Sequence, residues 1–306
     1  MARVLAALAS KRRKGWTSQL MAAAREGIES VPGVEVETLN LHDYNFKVCN
    51  ACFNCIRSDA HLCTKKDDMG GSGELFAKLL STNGLLIADP VFLWGSSALV
   101  HTFIERMYPF IWSGVGNGMP FASISCASNS GFQHQASKEI AKQVFNFGFS
   151  YIGCVPAHVS YLEAAVERAR ALGAVLGAAA KADMERGRTK LADRDKFAMY
   201  AEPWDAASDY FANLTNGDGD YASSMTHTAL AQGAFKKERA LVALTKADEL
   251  LESSFENMQR GDRDTAIDLL SDGSALWTEA TWREFLEEEV IGVEKPKAYR
   301  PVEDLL

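Results

Sequence analysis

The chain has 306 residues, 47% of them hydrophobic and 24% charged, enough to bury a sizeable core in one large domain with an appendage. A formal net charge of −8 argues against the broad basic face that nucleic acid needs in a partner. No membrane segment is expected: the longest weakly polar run, 169–180, is alanine-rich, carries Arg170 and falls well short of the ~20 apolar residues a crossing needs.

Residues 3–9, Arg-Val-Leu-Ala-Ala-Leu-Ala, are apolar on both faces and predict a buried parallel strand. Met1 leads straight into this strand, without the longer apolar run and small-residue cleavage site of an export signal, so a cytoplasmic location is expected. Ser10-Lys-Arg-Arg-Lys-Gly-Trp-Thr-Ser18 then sets hydroxyls, four cations and a glycine at the step from strand to helix, with Leu20, Ala24 and Ile28 following at helical spacing. Backbone amides at a helix start, joined by hydroxyl donors, suit a phosphate monoester; a solvated basic turn is the competing reading.

Gly33 to Leu41 predicts the second strand and delivers the chain into Cys49-Asn-Ala-Cys52-Phe-Asn-Cys55 and then Cys63, four of the six cysteines. A reducing compartment disfavours disulfides and leaves thiolate ligation of zinc or of an iron–sulfur cluster. Structural zinc usually takes two separated cysteine pairs. Three cysteines at successive two-residue gaps with a fourth nearby favour a compact loop around a 4Fe-4S cluster. The last gap is longer than in ferredoxins, and Thr64 stands where their run has proline.

Asp67-Asp68-Met69 and a Gly70-Gly71-Ser72-Gly73 turn lead into a helix with Leu75, Phe76, Leu79 and Leu80, and Gly84 to Ala88 predicts the third strand. Asp89-Pro-Val-Phe-Leu-Trp-Gly95 is a stiff turn at its end, and a helix from Ser96 carries Leu99, Phe103, Met107 and Phe110. Phe121 to Cys126 is the fourth strand, followed by Ala127-Ser-Asn-Ser-Gly131 and a helix to Phe147; Tyr151 to Val155 is the fifth, followed by an alanine-rich helix over 161–183. Five strands each followed by a helix imply an α/β fold with a doubly wound parallel sheet, in which ligands bind where the strand order reverses. Cys126 and Cys154 read as small hydrophobes on strands.

Residues 1–183 resemble the iron–sulfur flavoproteins within the NADPH-dependent FMN reductase group. Ser10-x-Arg12-x-x-Gly15-x-Thr17 is similar to that group's phosphate loop, the four cysteines to its cluster motif, and Asp67-Asp68-Met69, Asp89-Pro-Val-Phe92 and Phe103-Ile-Glu-Arg106 to the segments around them. Trp16, Phe92 and His101 stand where asparagine, tyrosine and lysine are common, and the gap from Cys55 to Cys63 is about two residues longer than usual in the group. The resemblance implies a flavodoxin-like fold with FMN across the strand ends. Its phosphate would lie at Ser10, Arg12, Gly15, Thr17 and Ser18, and its ring against Pro90, Val91, Phe92, Leu93, Trp94, Gly95, Ser128, Asn129 and Gly131. It also implies a 4Fe-4S cluster on Cys49, Cys52, Cys55 and Cys63, NAD(P)H or ferredoxin as redox partner, and a homo-oligomer, dimer or tetramer, in which one subunit's cluster faces a neighbour's flavin.

The remaining residues, 184–306, predict a mostly helical extension outside the resemblance. Residues 186–195 form a charged linker, 205–214 and 226–259 read as helices, and 261–291 as a further helical hairpin. Leu251, Phe255, Ala266 and Leu270 around Gly261-Asp262 are spaced like one tetratricopeptide hairpin, which cannot bury its own face and is expected to pack on the flavin domain or another subunit. Trp204, Tyr210, Phe211, Trp277, Trp282 and Phe285 read as packing residues, and no residue stands out as a catalytic acid or base. An electron-transfer oxidoreductase is the expectation. A cluster-free NAD(P)H-dependent flavin or quinone reductase, or a flavodoxin-like scaffold whose tail engages a partner, are the alternatives.

Overall fold

The computed structural model describes residues 1–293 and 302–306; residues 294–301 of the expected extension lie outside them. The chain runs β1 (Ala2–Leu8), α1 (Trp16–Glu29), β2 (Val34–Asn40), α2 (Asn54–Arg57), α3 (Glu74–Leu80), β3 (Gly84–Pro90), α4 (Ala98–Glu105), α5 (Pro109–Ser113), β4 (Pro120–Ala127), α6 (Gln133–Phe145), β5 (Ser150–His158) and α7 (Leu162–Arg186). All neighbouring strands pair in parallel, in the order β2-β1-β3-β4-β5. This is the flavodoxin-like order, and its switch point falls between β1 and β3.

The central strands are apolar on both faces because helices cover both: Val4, Ala6, Leu86 and Ile124 are buried in one cluster with residues of α1 and α7. The alanine-rich composition of α7 follows from how closely it crosses α1. A Cβ on Gly173 would stand 2.0 Å from the Ala24 carbonyl oxygen, so nothing larger than glycine fits where the two backbones touch. The single helix expected from Ser96 through Phe110 is instead two. It stops at Glu105, and Pro109, which has no N–H to donate, opens α5.

Two compact units emerge. The first is Met1–Cys55 with Ala60–Leu191 and Glu202–Trp204; the second is Ile56–Asp59, Ala192–Ala201 and Asp205–Leu306. The second unit holds α8 (Asp193–Met199), α9 (Ala206–Leu214), α10 (Met225–Ala231), α11 (Glu238–Arg260), α12 (Arg263–Thr281) and a π-helix, Trp282–Ile291. The helix expected over 226–259 breaks at Gln232-Gly233, and the linker of 186–195 already contains the start of α8. No separate hairpin forms over 261–291: α12 continues directly into the π-helix, and the hairpin is α11 with α12, turning at Gly261, whose φ is 83°. Its apolar face is covered within its own unit, by α8, α10 and the π-helix, so the tail has a core of its own around Leu244, Leu276 and Phe235. Within this unit Arg57 donates from Nε to the Ile291 carbonyl at 2.7 Å and from Nη2 to that of Val290 at 3.0 Å. It thereby satisfies acceptors that the end of a helix would leave unpaired.

Candidate functional site

Three loops of the first unit open at the carboxyl ends of β1, β3 and β4, beside the switch point. The first follows the end of β1, where Ala9 N–H still donates to Ala88 O at 2.8 Å, and it is folded on itself. Gly15 N–H and Ser18 Oγ both donate to Arg12 O, at 2.9 and 2.8 Å, Arg12 N–H donates to Ser10 Oγ at 3.3 Å, and Asn40 Nδ2 donates to Ser10 O at 2.7 Å. Gly15 is the N-cap of α1 and supplies no side chain, and no acidic residue stands in the first turn. The helix therefore presents its amides and positive dipole end to whatever occupies the loop. Arg12 lies 5.9 Å over the Trp16 ring, which gives that tryptophan a role the sequence left open: it steadies the cation. Arg13 is committed to Asp43 at 2.7 Å. Thr17, in the first turn of α1, is buried.

The loop after β3 is a tight hairpin. Phe92 and Gly95 exchange backbone hydrogen bonds of 3.0 and 3.2 Å, and Leu93 and Trp94 between them have φ of 47° and 68°. Two positive φ values in such a turn ordinarily call for Asn-Gly, and non-glycine residues there cost on the order of 1 kcal/mol each. Leu93 is 89% exposed, and Phe92 and Trp94 66% each, while Trp94 stacks on Phe132 of the next loop at 4.9 Å and 11°. Beneath the turn, a Cβ on Gly95 would stand 2.5 Å from Glu139 Oε2. That oxygen accepts from Ser96 N–H at 2.7 Å and Ser96 Oγ at 3.2 Å; Ser96 Oγ is 2.7 Å from His101 Nε2, and Gln143 Nε2 meets His101 Nδ1. This bracket of α4 and α6 side chains was not read from the sequence, where His101 counted as scattered and Glu139 and Gln143 lie 38 to 42 positions further on.

Asp89 ends β3 fully buried and accepts from Ser97 N–H at 2.8 Å and Ser97 Oγ at 2.5 Å, which fastens the first turn of α4 to the sheet. Burial pushes its carboxyl up to about 7, against the pull of the two Ser97 donors, and the nearby Glu139 adds to the rise. An ordinary carboxyl releases its proton near 3.8, so between that pH and about 7 the folded state binds more protons than the unfolded chain and stability falls as pH rises. Wild-type protein is expected to lose up to about 4 kcal/mol across that interval and to level off above it. Asp89→Asn should flatten the profile, as urea titrations at pH 5 and pH 8 would show; an unchanged slope would place the titrating group elsewhere.

The third loop carries Ser128 and Asn129, both exposed, and Gly131 at φ 91°. His158, at the end of β5, hydrogen-bonds Asn129 O through Nε2 at 3.1 Å and sets the loop's height, a role no local pattern announced. Cys126 is buried on β4 and Cys154 half-buried on β5, and burial pushes both thiols up, which agrees with structural roles for both.

The cysteines gather at the other end of α4. Cys49, Cys52, Cys55 and Cys63 line a single cavity of about 30 Å³ with Glu105, Arg106 and Pro109. Ala51 and Phe53 have φ of 48° and 56°, and Ala51 N–H lies 3.4 Å from Cys49 Sγ. Cys55 is pushed up to about 11, by burial first and then by the negative charge of Cys63, Cys49 and Cys52, so the four sulfurs feel one another. Glu105 Oε2 accepts from Cys49 N–H at 3.4 Å, and Arg106, buried beside it, ion-pairs with Asp67 at 2.7 Å and reaches Cys63 Sγ at 3.5 Å. His61 Nδ1 bonds Cys55 O at 3.0 Å within the loop, and Asn54 Nδ2 donates to Thr64 Oγ1 at 3.1 Å. Among the described residues no three or more His, Cys, Asp or Glu side chains converge closely enough to hold a metal ion. The donor set, four thiols with one backbone amide on Cys49 Sγ and a buried cation at Cys63 Sγ, nevertheless has the chemistry of an iron–sulfur site. No helix among the described residues is long and apolar enough to cross a membrane.

Comparison with known proteins gives a family match and more distant likenesses. The model of the NADPH-dependent FMN reductase family matches residues 2–164. Two proteins of Archaeoglobus fulgidus, each called iron-sulfur flavoprotein, are 30% identical over 103 residues and 28% identical over 74. These matches cover 34% and 24% of this chain but only 44% and 34% of those relatives, so the chain spans less than half the length of either. Among solved structures, a flavone reductase aligns with a TM-score of 0.45 at 17% identity, over 62% of this chain and 66% of its own.

Proposed function

The chain belongs to the NADPH-dependent FMN reductase family, and from that premise we propose that it is an FMN-dependent oxidoreductase that also carries a 4Fe-4S cluster on Cys49, Cys52, Cys55 and Cys63. The observation that carries this reading is the placing of four thiols in one cavity at the end of α4, the helix whose start supports the hairpin of the switch-point loops. Ser10, Ser18, Arg12 and the first amides of α1 would hold the FMN phosphate. The hairpin of 91–95 and the loop of 128–131 would flank its ring. When bound, FMN supplies exchange of one or two electrons and the cluster exchange of one, so that the pair converts between the two modes. The chain's own work is then to hold both groups in place and to set potentials through the hydrogen bonds described above.

NAD(P)H or a ferredoxin is proposed as the redox partner and the cytoplasm as the location, since a pocket of reduced thiols needs a reducing compartment. A homo-oligomer is proposed as the working assembly, a role for which the exposed hairpin residues Phe92, Leu93 and Trp94 are suited. Anaerobic purification followed by iron, sulfide and flavin analysis tests the reading. One FMN and about four irons per chain are expected. Yellow protein that takes up no iron on reconstitution would instead support a cluster-free flavin or quinone reductase, the reading favoured by the lack of convergence among the thiols.

A further inference from the structure

We infer that Arg106 is a positioning residue that fixes Cys63 as the fourth cluster ligand and sets the potential of the site through its bond to that sulfur; this rests on the cluster proposed above. Cys63 is the ligand whose spacing departs most from the compact pattern, and it is the one the structure supports from behind. The Arg106 side chain is 1% exposed. Nη1 donates to Lys47 O at 2.7 Å and Asp67 Oδ2 at 2.7 Å; Nη2 donates to Asp67 Oδ1 at 2.8 Å and Cys63 Sγ at 3.5 Å. Lys47 precedes the first cysteine and Asp67 follows the last, so one guanidinium clasps both ends of the loop. Three of the four hydrogen bonds made by its two Nη atoms go to oxygens in that clasp, and the fourth goes to sulfur.

A guanidinium stays charged at any accessible pH, and its planar fork fixes where each proton points. A cluster held there would take one electron at a time from the reduced flavin, with no bond made or broken in the protein and no proton taken up by Arg106. A hydrogen bond from a buried cation to a ligand sulfur stabilises the added negative charge and raises the potential. Asp67 works in the opposite sense: its carboxylate, held well below the usual range chiefly by the hydrogen bond from Arg106, neutralises part of the charge that Cys63 feels.

The two partners should therefore move the potential in opposite directions, an outcome that mere loosening of the loop would not produce. Reconstituted full-length wild type, Arg106→Gln and Asp67→Asn would be titrated anaerobically with dithionite and followed by visible absorption and electron paramagnetic resonance. Arg106→Gln is expected to shift the one-electron equilibrium about tenfold toward the oxidised form, about 59 mV lower, and Asp67→Asn to shift it upward by a similar factor. Arg106→Lys keeps the charge and should fall between wild type and Arg106→Gln. Potentials unmoved in all three, or moved the same way in Arg106→Gln and Asp67→Asn, with iron content at the wild-type level, would overturn the inference and leave the cluster reading standing. Should Arg106→Gln fail to hold iron, Asp67→Asn decides: an upward shift supports the inference and no shift overturns it. A wild type that binds no iron after reconstitution brings down the cluster reading itself, and the inference with it.

Discussion

Cys52→Ala is expected to yield a protein that is yellow rather than brown, with FMN retained and iron reduced to background. Cys52 is the most exposed of the four cysteines, so truncation to alanine opens no cavity in the core and leaves the fold standing. The loops proposed to hold the flavin belong to separate segments, 10–18, 90–95 and 128–131, none of which lines the cysteine cavity. Cys52→Ala would remove one of the four proposed ligands, and among the described residues no further cysteine lines that cavity. Iron analysis alongside flavin extraction is the measurement. Unchanged iron would refute the assignment of this cavity, and parallel loss of FMN would show that the two sites do not fold independently.

Arg12→Glu is expected to weaken FMN about tenfold to a hundredfold, since charge-assisted hydrogen bonds contribute about 1.5–3 kcal/mol each. Reversal of the charge adds repulsion to that loss. Arg12 is exposed and braced on Trp16, so the substitution changes the charge over the loop without disturbing the buried contacts of Ser10 and Asn40 beneath it. Riboflavin, which lacks the phosphate, serves as the internal control: its affinity should barely change. Fluorescence titration of both ligands decides, and equal losses for the two would detach this loop from the phosphate.

Much of the first unit was legible because its signals are local. Buried strands on both faces read as unbroken apolar runs, each helix shows its period, and the order of strand and helix fixes the sheet. The gathering of the four cysteines in one cavity was equally plain, because they fall close together along the chain. What escaped was whatever depends on distant partners. The bracket of Glu139 and Gln143 around Ser96 and His101 and the hold of His158 on Asn129 join residues 29 to 43 positions apart, and no window of sequence reveals them. The hairpin at Leu93-Trp94 was hidden for another reason. Its backbone adopts positive φ without glycine or asparagine, so the residues that usually announce such a turn are missing. The extra length between Cys55 and Cys63 read as an irregularity of ligand spacing, yet Ile56–Asp59 within it belongs to the helical unit, where Arg57 finishes the π-helix more than 230 residues later.

The eight residues of α4 act as a ruler. A helix of that length rises about 12 Å and cannot be stretched without breaking its hydrogen bonds. Its first turn is pinned to the sheet by Asp89 and its last presents Glu105 and Arg106 to the cysteine loop. The interval between hairpin and thiols is thus counted in residues, and so is the angle at which the far end arrives. One inserted residue would turn that end by about 100° and swing the guanidinium off Cys63, whereas a full extra turn would restore the bearing at the cost of about 5.4 Å of added separation. Any lineage descended from this chain can therefore vary the composition of α4 freely on its solvent side but can change its length only in jumps.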